Sequence, residues 1–472
     1  MKTVVQSLLN HIQGKNGSRW AKFIRDTGTE NILVVAVDAA KFTHKAIFCN
    51  FYGEILVKPF HLDASETGVE KLKQQIQQVK DKYSLKEVVL GIEATGHYYE
   101  DLVRRSYKEN YYVRILNPVT TANERKSLLN RSKTDNLDLM AIVSCILQGK
   151  GTSSPLSSKS MNGLQKLTRA RRTLVQEKTS IQNQIRTYAD YIFREFQGKS
   201  VWVNGKRKDV KPLSDLFGKA SRYIMRNCLH PSDILELGKD GLRKLSVQEN
   251  LKLRDEAIEC LIDFARNSIS QPKECVQSEQ FLLNLRLDQL SLLEKQIKEL
   301  EKRIEDIYVR TEGAVILSVP GIGLVSGAEF CAEMGDISDF NHGGQLIKMA
   351  GTNPIVKQSG DRSPSHYQVS KEGRKPFRNI VYQVGRTLAH NNPEMNRKYQ
   401  SLLERGKAPR QAYIALGNRM IRLAFSMIKN QTLYRTEHED YSLLNQISKK
   451  LRKANTIYFY EKFVTSINNQ SA

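Results

Sequence analysis

The first 30 residues carry only a short apolar patch, broken by Gln6, Ser7, Asn10 and His11, and read as a weakly ordered extension. From residue 31 the pattern changes. "ILVVAVDA" is a continuous apolar, β-branched run, which predicts a strand covered on both faces. "HKAIFCNF" and "ILVKPFHL", separated by a turn at Tyr52-Gly53-Glu54, predict a hairpin beside it. Residues 66–83, rich in Lys and Gln, predict a helix, and "EVVLGIEA" a second buried strand. A helix from about His97, a strand at "YVRILNP" and a helix opening at Asp135 complete the block.

The order βββ-α-β-α-β-α is that of an RNase H-like (RuvC-like) domain, expected over residues 31–150. A Ser-rich linker follows over 151–163. Two heptad stripes come next. One holds Leu164, Leu167, Leu174, Ile181, Ile185 and Tyr188, interrupted by Arg171 and Lys178; the other holds Leu290, Leu293, Ile297, Leu300, Ile304 and Ile307. They predict an antiparallel coiled coil over 164–310, with a helical insertion near 198–275. A Gly-rich, mainly helical domain is expected over 311–430, and a basic helical tail over 431–472. The fold class is thus α/β plus α.

Charge narrows the partners. Against 50 Asp and Glu stand 73 Lys and Arg, a formal net charge of +23 and a pI near 9.6. That balance points to a polyanion, nucleic acid first. No apolar run approaches the roughly 20 residues of a membrane-spanning helix, so no membrane association is expected. The N-terminus makes a poor signal peptide, and the six cysteines show no CxxC pair. Reduced thiols in the cytoplasm of a bacterial or archaeal cell are expected.

Four carboxylates stand out. Asp38 closes the first predicted strand and Glu93 the fourth, which are neighbours in an RNase H-like sheet. Asp135 and Asp138 lie three apart, on one helix face. Four oxygen donors without His or Cys suit Mg²⁺ or Mn²⁺, and two such ions serve phosphoryl transfer. The helix start allows another reading, with Asp135 as N-cap and Asp138 favourable in the first turn. A second unusual stretch is "AGTNPIVKQSGDRSPSHYQVSKEGRKPF". Ser359 precedes Gly360 between Lys357 and Arg362, and Lys371, Arg374, Lys375 and Arg378 follow, as a nucleic-acid-binding run. A hydroxyl in a cationic loop is a candidate nucleophile for a phosphodiester. Ser326, Ser363 and Ser365 are rivals. "PGIG" at residues 320–323 is either a phosphate-approaching hairpin or a tight turn between helices.

"VDAAK", "GIEATGHYYEDL" and "SKTDNLDLMAIV" resemble the three acidic motifs of the DEDD transposases of the insertion-sequence-110 family. "LSVPGIGLVSGAEFCAEMGDISDF", "LIKMAGTNPIVKQSGDRS" and "VSKEGRKPFRNIVYQV" resemble that family's C-terminal transposase domain. The resemblance implies a RuvC-like domain with metal ligands Asp38, Glu93, Asp135 and Asp138. It implies a nucleophilic Ser359 forming a 5′-phosphoserine link to DNA, and a coiled coil used for oligomerisation, a dimer assembling to a tetramer. It also implies a structured non-coding (bridge) RNA that pairs with donor and target DNA. Readings left open are a Piv-type invertase, a RuvC-like junction resolvase, and a non-catalytic nucleic-acid-binding protein.

Overall fold

The computed structural model describes residues 19–127, 134–151, 159–203, 206–337, 340–355 and 368–434. The chain divides into two compact units, residues 1–162 and 163–472.

The first unit is built on five strands: β1 (Ile32–Asp38), β2 (Thr43–Asn50), β3 (Ile55–Asp63), β4 (Glu87–Glu93) and β5 (Tyr112–Leu116). Their order is β3-β2-β1-β4-β5, with β1 antiparallel to β2 and parallel to β4. This mixed sheet with its helices fits the RNase H-like expectation. The side chains of β1 alternate between two cores. Leu33, Val35 and Val37 pack with α2 (Glu66–Tyr83) and α3 (Tyr99–Lys108); Ile32, Val34 and Ala36 pack with α5 (Asp135–Leu147). Both faces are covered, which is why "ILVVAV" is apolar without a break.

Two elements depart from expectation. Within the presumed extension, α1 (Arg19–Thr27) places Trp20, Phe23 and Ile24 at helical spacing against the α5 face of the sheet, with Phe23 stacked on Tyr112 at 4.2 Å. Three apolar side chains with a core to join make a helix of a stretch that looks polar overall. Residues 1–18 lie outside the described residues. The second is α4 (Pro118–Ser127), polar along its length and opened by a proline at a position where helices tolerate one.

In the second unit α6 (Lys159–Ile192) and α10 (Gln277–Tyr308) run antiparallel, joined by Arg171–Glu301 at 2.5 Å and Lys178–Glu294 at 3.0 Å. Ile185 and Ala189 share a core with Leu283, Leu287 and Leu290, while Leu174, Ile181, Leu293 and Leu300 are only half-buried. α6 starts inside the expected linker, whose residues 152–158 lie outside the described residues. The intervening part is not wholly helical. It opens with a hairpin, β6 (Lys199–Val203) and β7 (Lys206–Val210), before α7 (Lys219–Asn227), α8 (Pro231–Gln248) and α9 (Asp255–Arg266). β-branched residues around an Asn204-Gly205 step favour that hairpin.

The C-terminal helices are α11 (Leu324–Met334), α12 (Gly343–Ala350), α13 (Lys375–Asn391), α14 (Pro393–Glu404) and α15 (Pro409–Asn430). α13 and α15 cross closely because Gly385 and Gly417 face each other's helix; a Cβ on Gly385 would meet the Tyr413 carbonyl at 2.0 Å. Arg169 and Arg172 of α6 pair with the buried Glu333 and Glu329 of α11. Of the expected tail, residues 431–434 are not helical, and Tyr434 is buried with its N–H donated to Ser318 Oγ at 2.9 Å. The rest of the tail lies outside the described residues.

Candidate active site

Parity along the strands decides where the acidic residues point. Asp38 continues the series Ile32, Val34, Ala36, and Glu93 continues Val89 and Gly91; both series face α5. Each residue comes one step after the last registered pair of β1 and β4, Val37 with Ile92. Asp135 and Asp138 occupy the first turn of α5. The four therefore share one face at one end of the sheet. The N-cap is Thr134, whose Oγ1 accepts from the Leu137 N–H at 3.4 Å, so Asp135 is not the cap.

Each carboxylate has company that the sequence did not reveal. Lys45, opposite Asp38 in the β1–β2 register, reaches Asp135 Oδ2 at 3.8 Å. Arg125 Nη1 sits 2.7 Å from Asp138 Oδ1, a charge pair without hydrogen-bond alignment, so that buried oxygen lacks a hydrogen-bond donor. Thr121 and Thr95 donate their hydroxyls to Glu93. Arg125 and Thr121 both come from α4, and the only sequence signal for them was "NERK" shortly before the acidic motif. α4 is fixed in turn by the buried Glu124, which accepts from Ser144 of α5 and from Gln148, the residue that caps it, at 2.6 Å each, and from Lys150. Burial alone would raise the Glu124 carboxyl, but those donors outweigh it and hold it below the usual carboxylate range.

Among the described residues no three acidic, histidine or cysteine side chains converge closely enough to enclose a metal ion. The donor set still fits one in kind. It offers four carboxylates, no nitrogen or sulfur, and a buried Asp138 oxygen without a donor, which suits a hard divalent cation.

The second unit holds the serine region. Ser359, Lys357 and Arg362 lie outside the described residues, as do Ser363 and Ser365. The stem of that segment is described: Ile355 N–H donates to Gln368 O at 2.7 Å, and Ser370 N–H to Asn353 O at 3.0 Å. Lys371, Arg374 and Lys375 are exposed beyond the stem. Arg378 is half-buried, and its Nη1 donates to the carbonyls of Lys371 at 3.1 Å and Ala350 at 3.3 Å. Ser326 is committed to the start of α11, accepting from and donating to the Gly323 backbone at 3.1 Å. "PGIG" forms the turn ahead of that helix, with Gly321 at φ 93°. The cysteines are free thiols, four of the six buried. Among the described residues no helix is long and apolar enough to cross a membrane.

Comparison with known proteins bears on both units. Residues 35–194 match a family model of DEDD, IS110-type transposases, and residues 313–400 match the model of the IS116/IS110/IS902 transposase family. An uncharacterized 44.8 kDa protein of insertion element IS116 from Streptomyces clavuligerus is 31% identical over 31% of this chain and 37% of its own length. An uncharacterized 42 kDa protein of IS900 from Mycobacterium paratuberculosis is 29% identical over 25% of this chain and 30% of its own. A probable family 20 transposase of Pseudomonas aeruginosa is 30% identical over 33% of this chain and 46% of its own. Each match thus spans less than half of the relative. The resemblance read from the motifs, to the insertion-sequence-110 transposases, stands on these two matched segments.

Proposed function

We propose that the chain is an insertion-sequence transposase that cuts and rejoins DNA, using the acidic face of the first unit and a serine of the second. The observation that carries this reading is the placement of Asp38, Glu93, Asp135 and Asp138 on one face at one sheet end, in a chain of net charge +23. Asp38, Glu93, Asp135 and Asp138 would hold Mg²⁺ or Mn²⁺. Such ions, when bound, stabilise charge on the oxygens of a phosphoryl transfer.

Ser359 is the proposed nucleophile. Its Oγ forms a bond to phosphorus as the P–O3′ bond breaks. The hydroxyl proton passes to a base or to water, and the strand leaves with a free 3′-hydroxyl. Rejoining reverses the step with another 3′-hydroxyl, so the bond energy is kept in the phosphoserine. Lys357 and Arg362 offset charge on the reacting phosphate. Ser326 makes a poor rival, since both hydrogen-bonding roles of its hydroxyl are taken by the Gly323 backbone.

A structured guide RNA is the proposed second partner, and α6 with α10 the proposed oligomerisation element, whose half-buried Leu174, Leu293 and Leu300 offer an apolar strip. Leu300→Glu should then lower the mass seen by light scattering.

The deciding experiment traps the reaction and digests the product. A DNA-linked peptide should map around residue 359, and Ser359→Ala should lose the adduct while still binding DNA. Asp38→Ala and Glu93→Ala should abolish strand exchange without loss of folding. A normal adduct in Ser359→Ala sinks the nucleophile; full activity in Asp38→Ala sinks the metal assignment. Sequencing RNA that copurifies tests the guide: a discrete species supports it, and its absence from an active preparation removes it.

A further inference from the structure

The strand order reverses between β1 and β4: the chain leaves β1 towards β2 and β3, and leaves β4 towards β5. In open α/β sheets, ligands bind beyond the carboxyl ends of the strands at such a reversal. Residues 39–42 follow β1 there and residues 94–98 follow β4. A cavity of about 620 Å³ lies against both loops, walled by the start of α2 and by α3. This is the layer opposite α5. The acidic face and the cavity thus flank one sheet end from its two sides.

The cavity has the opposite charge preference. Lys41, Arg104, Arg105 and Lys108 line it, against Glu66 and Asp101. Arg105 donates through both terminal nitrogens to Glu66, and Arg104 lies 3.6 Å from Asp101. Both pairs are solvent-exposed and therefore weak; Arg104 also donates to the less exposed Glu100 at 3.3 Å. A phosphate competes well for the same guanidinium fork. Aromatic surface accompanies the cations: the His97 and Tyr98 rings of the lining lie 4.4 Å apart, and next to Lys41, outside the lining itself, Phe42 is 73% exposed with the Lys41 ammonium 4.8 Å from its ring centre. Cations interleaved with aromatic faces are the make-up of single-strand binding sites, where bases stack and phosphates pair.

We infer that this cavity binds an unpaired nucleotide of a nucleic-acid strand that crosses the end of the sheet towards the acidic face. The inference rests on the proposed strand-transfer reading for the direction of the strand, but its binding step needs no metal and no serine. Holding one nucleotide out of the duplex beside the cutting face fixes which phosphate reaches the carboxylates.

The test uses the full chain in EDTA with labelled single-stranded DNA, and RNA of the same sequence in a second arm. Lys41→Glu/Lys108→Glu changes two exposed side chains of the cavity. Lys82→Glu/Lys86→Glu, exposed at the far end of α2 and the start of β4, makes the same charge change away from it. The cavity variant should bind about tenfold more weakly than the control variant. It should also lose salt dependence, by about 0.7 in log–log slope for each phosphate contact removed. A 5-iododeoxyuridine oligonucleotide should crosslink to His97 or Tyr98 on irradiation. Equal binding by the two variants, with crosslinks only elsewhere, overturns the inference. Asp38→Asn separates it from the proposed reaction: that variant should lose strand exchange and keep the crosslink. Stronger loss in the DNA arm assigns the cavity to the substrate strand, and stronger loss in the RNA arm to the guide; either supports a nucleotide site.

Discussion

Gly91 shows how one missing side chain sets the geometry of the acidic face. It sits in β4 two residues before Glu93, on the side where α5 packs. A Cβ placed there would lie 2.1 Å from Ile146 Cδ1 and 2.5 Å from Ile146 Cγ1. The glycine therefore lets α5 lie close on the sheet, and the first turn of that helix carries Asp135 and Asp138. Gly91→Val should destabilise the chain by about 1–3 kcal/mol through overpacking. Ile146→Ala alone should cost about 2–5 kcal/mol through the cavity it leaves. Since the two changes meet at one contact, the double variant should cost less than the sum of the singles, as read from urea denaturation. Additive costs would mean that Gly91 does not govern the approach of α5.

At the scale of elements, the difference between what the sequence predicts and what forms is instructive. The buried strands were legible because both faces are covered and the apolar runs have no gap. The acidic residues were legible because strand ends and a helix start are marked by pattern. α4 was not, because its contacts are polar: Thr121 to Glu93, Arg125 to Asp138, and Glu124 to Ser144, Gln148 and Lys150. Hydrophobic periodicity says nothing of a helix held that way, and the partners are distant in sequence. α1 was hidden for a related reason: its three apolar side chains are meaningful only once the sheet is there to receive them. The polar fastening of α4 has a pH signature. The charged form of Glu124 is favoured in the folded chain, so its contribution is full above the ordinary carboxyl range and is lost as pH falls through the lowered folded value. Glu124→Gln removes that contribution and leaves Lys150 without its carboxylate, at a cost of about 1–3 kcal/mol near neutral pH. The difference from the parent chain should shrink as the medium becomes acidic. A constant difference from pH 7 down to pH 3 would show that Glu124 does not titrate with folding.

At the scale of the whole molecule, the net charge of +23 should make the proposed binding to DNA steeply dependent on salt. Each phosphate neutralised on a duplex contributes about −0.9 to the log–log slope. Not every cation of the basic run counts alike in this. Lys371, Arg374 and Lys375 are exposed beyond the stem of the serine segment, whereas Arg378 is turned back onto the Ala350 and Lys371 carbonyls. Lys371 itself holds a left-handed backbone, φ 55°, with its N–H donated to Gly351 O at 3.0 Å. Arg378 thus braces the backbone at Lys371, next to the stem, while Lys371, Arg374 and Lys375 present their side chains to solvent. Lys375→Ala should flatten the salt slope by about 0.9 with no change in melting temperature, if that ammonium meets a phosphate. Arg378→Ala should act differently. It removes a donor from two carbonyls, should lower the melting temperature, and should weaken the proposed strand joining more than the proposed DNA binding, with the salt slope unchanged. Arg378→Lys, which keeps the charge on a side chain of different reach and geometry, should leave the salt slope as in the parent chain and not restore the joining. If Arg378→Lys restores joining in full, Arg378 acts on DNA as a point charge, and the division between stem brace and phosphate contact is wrong.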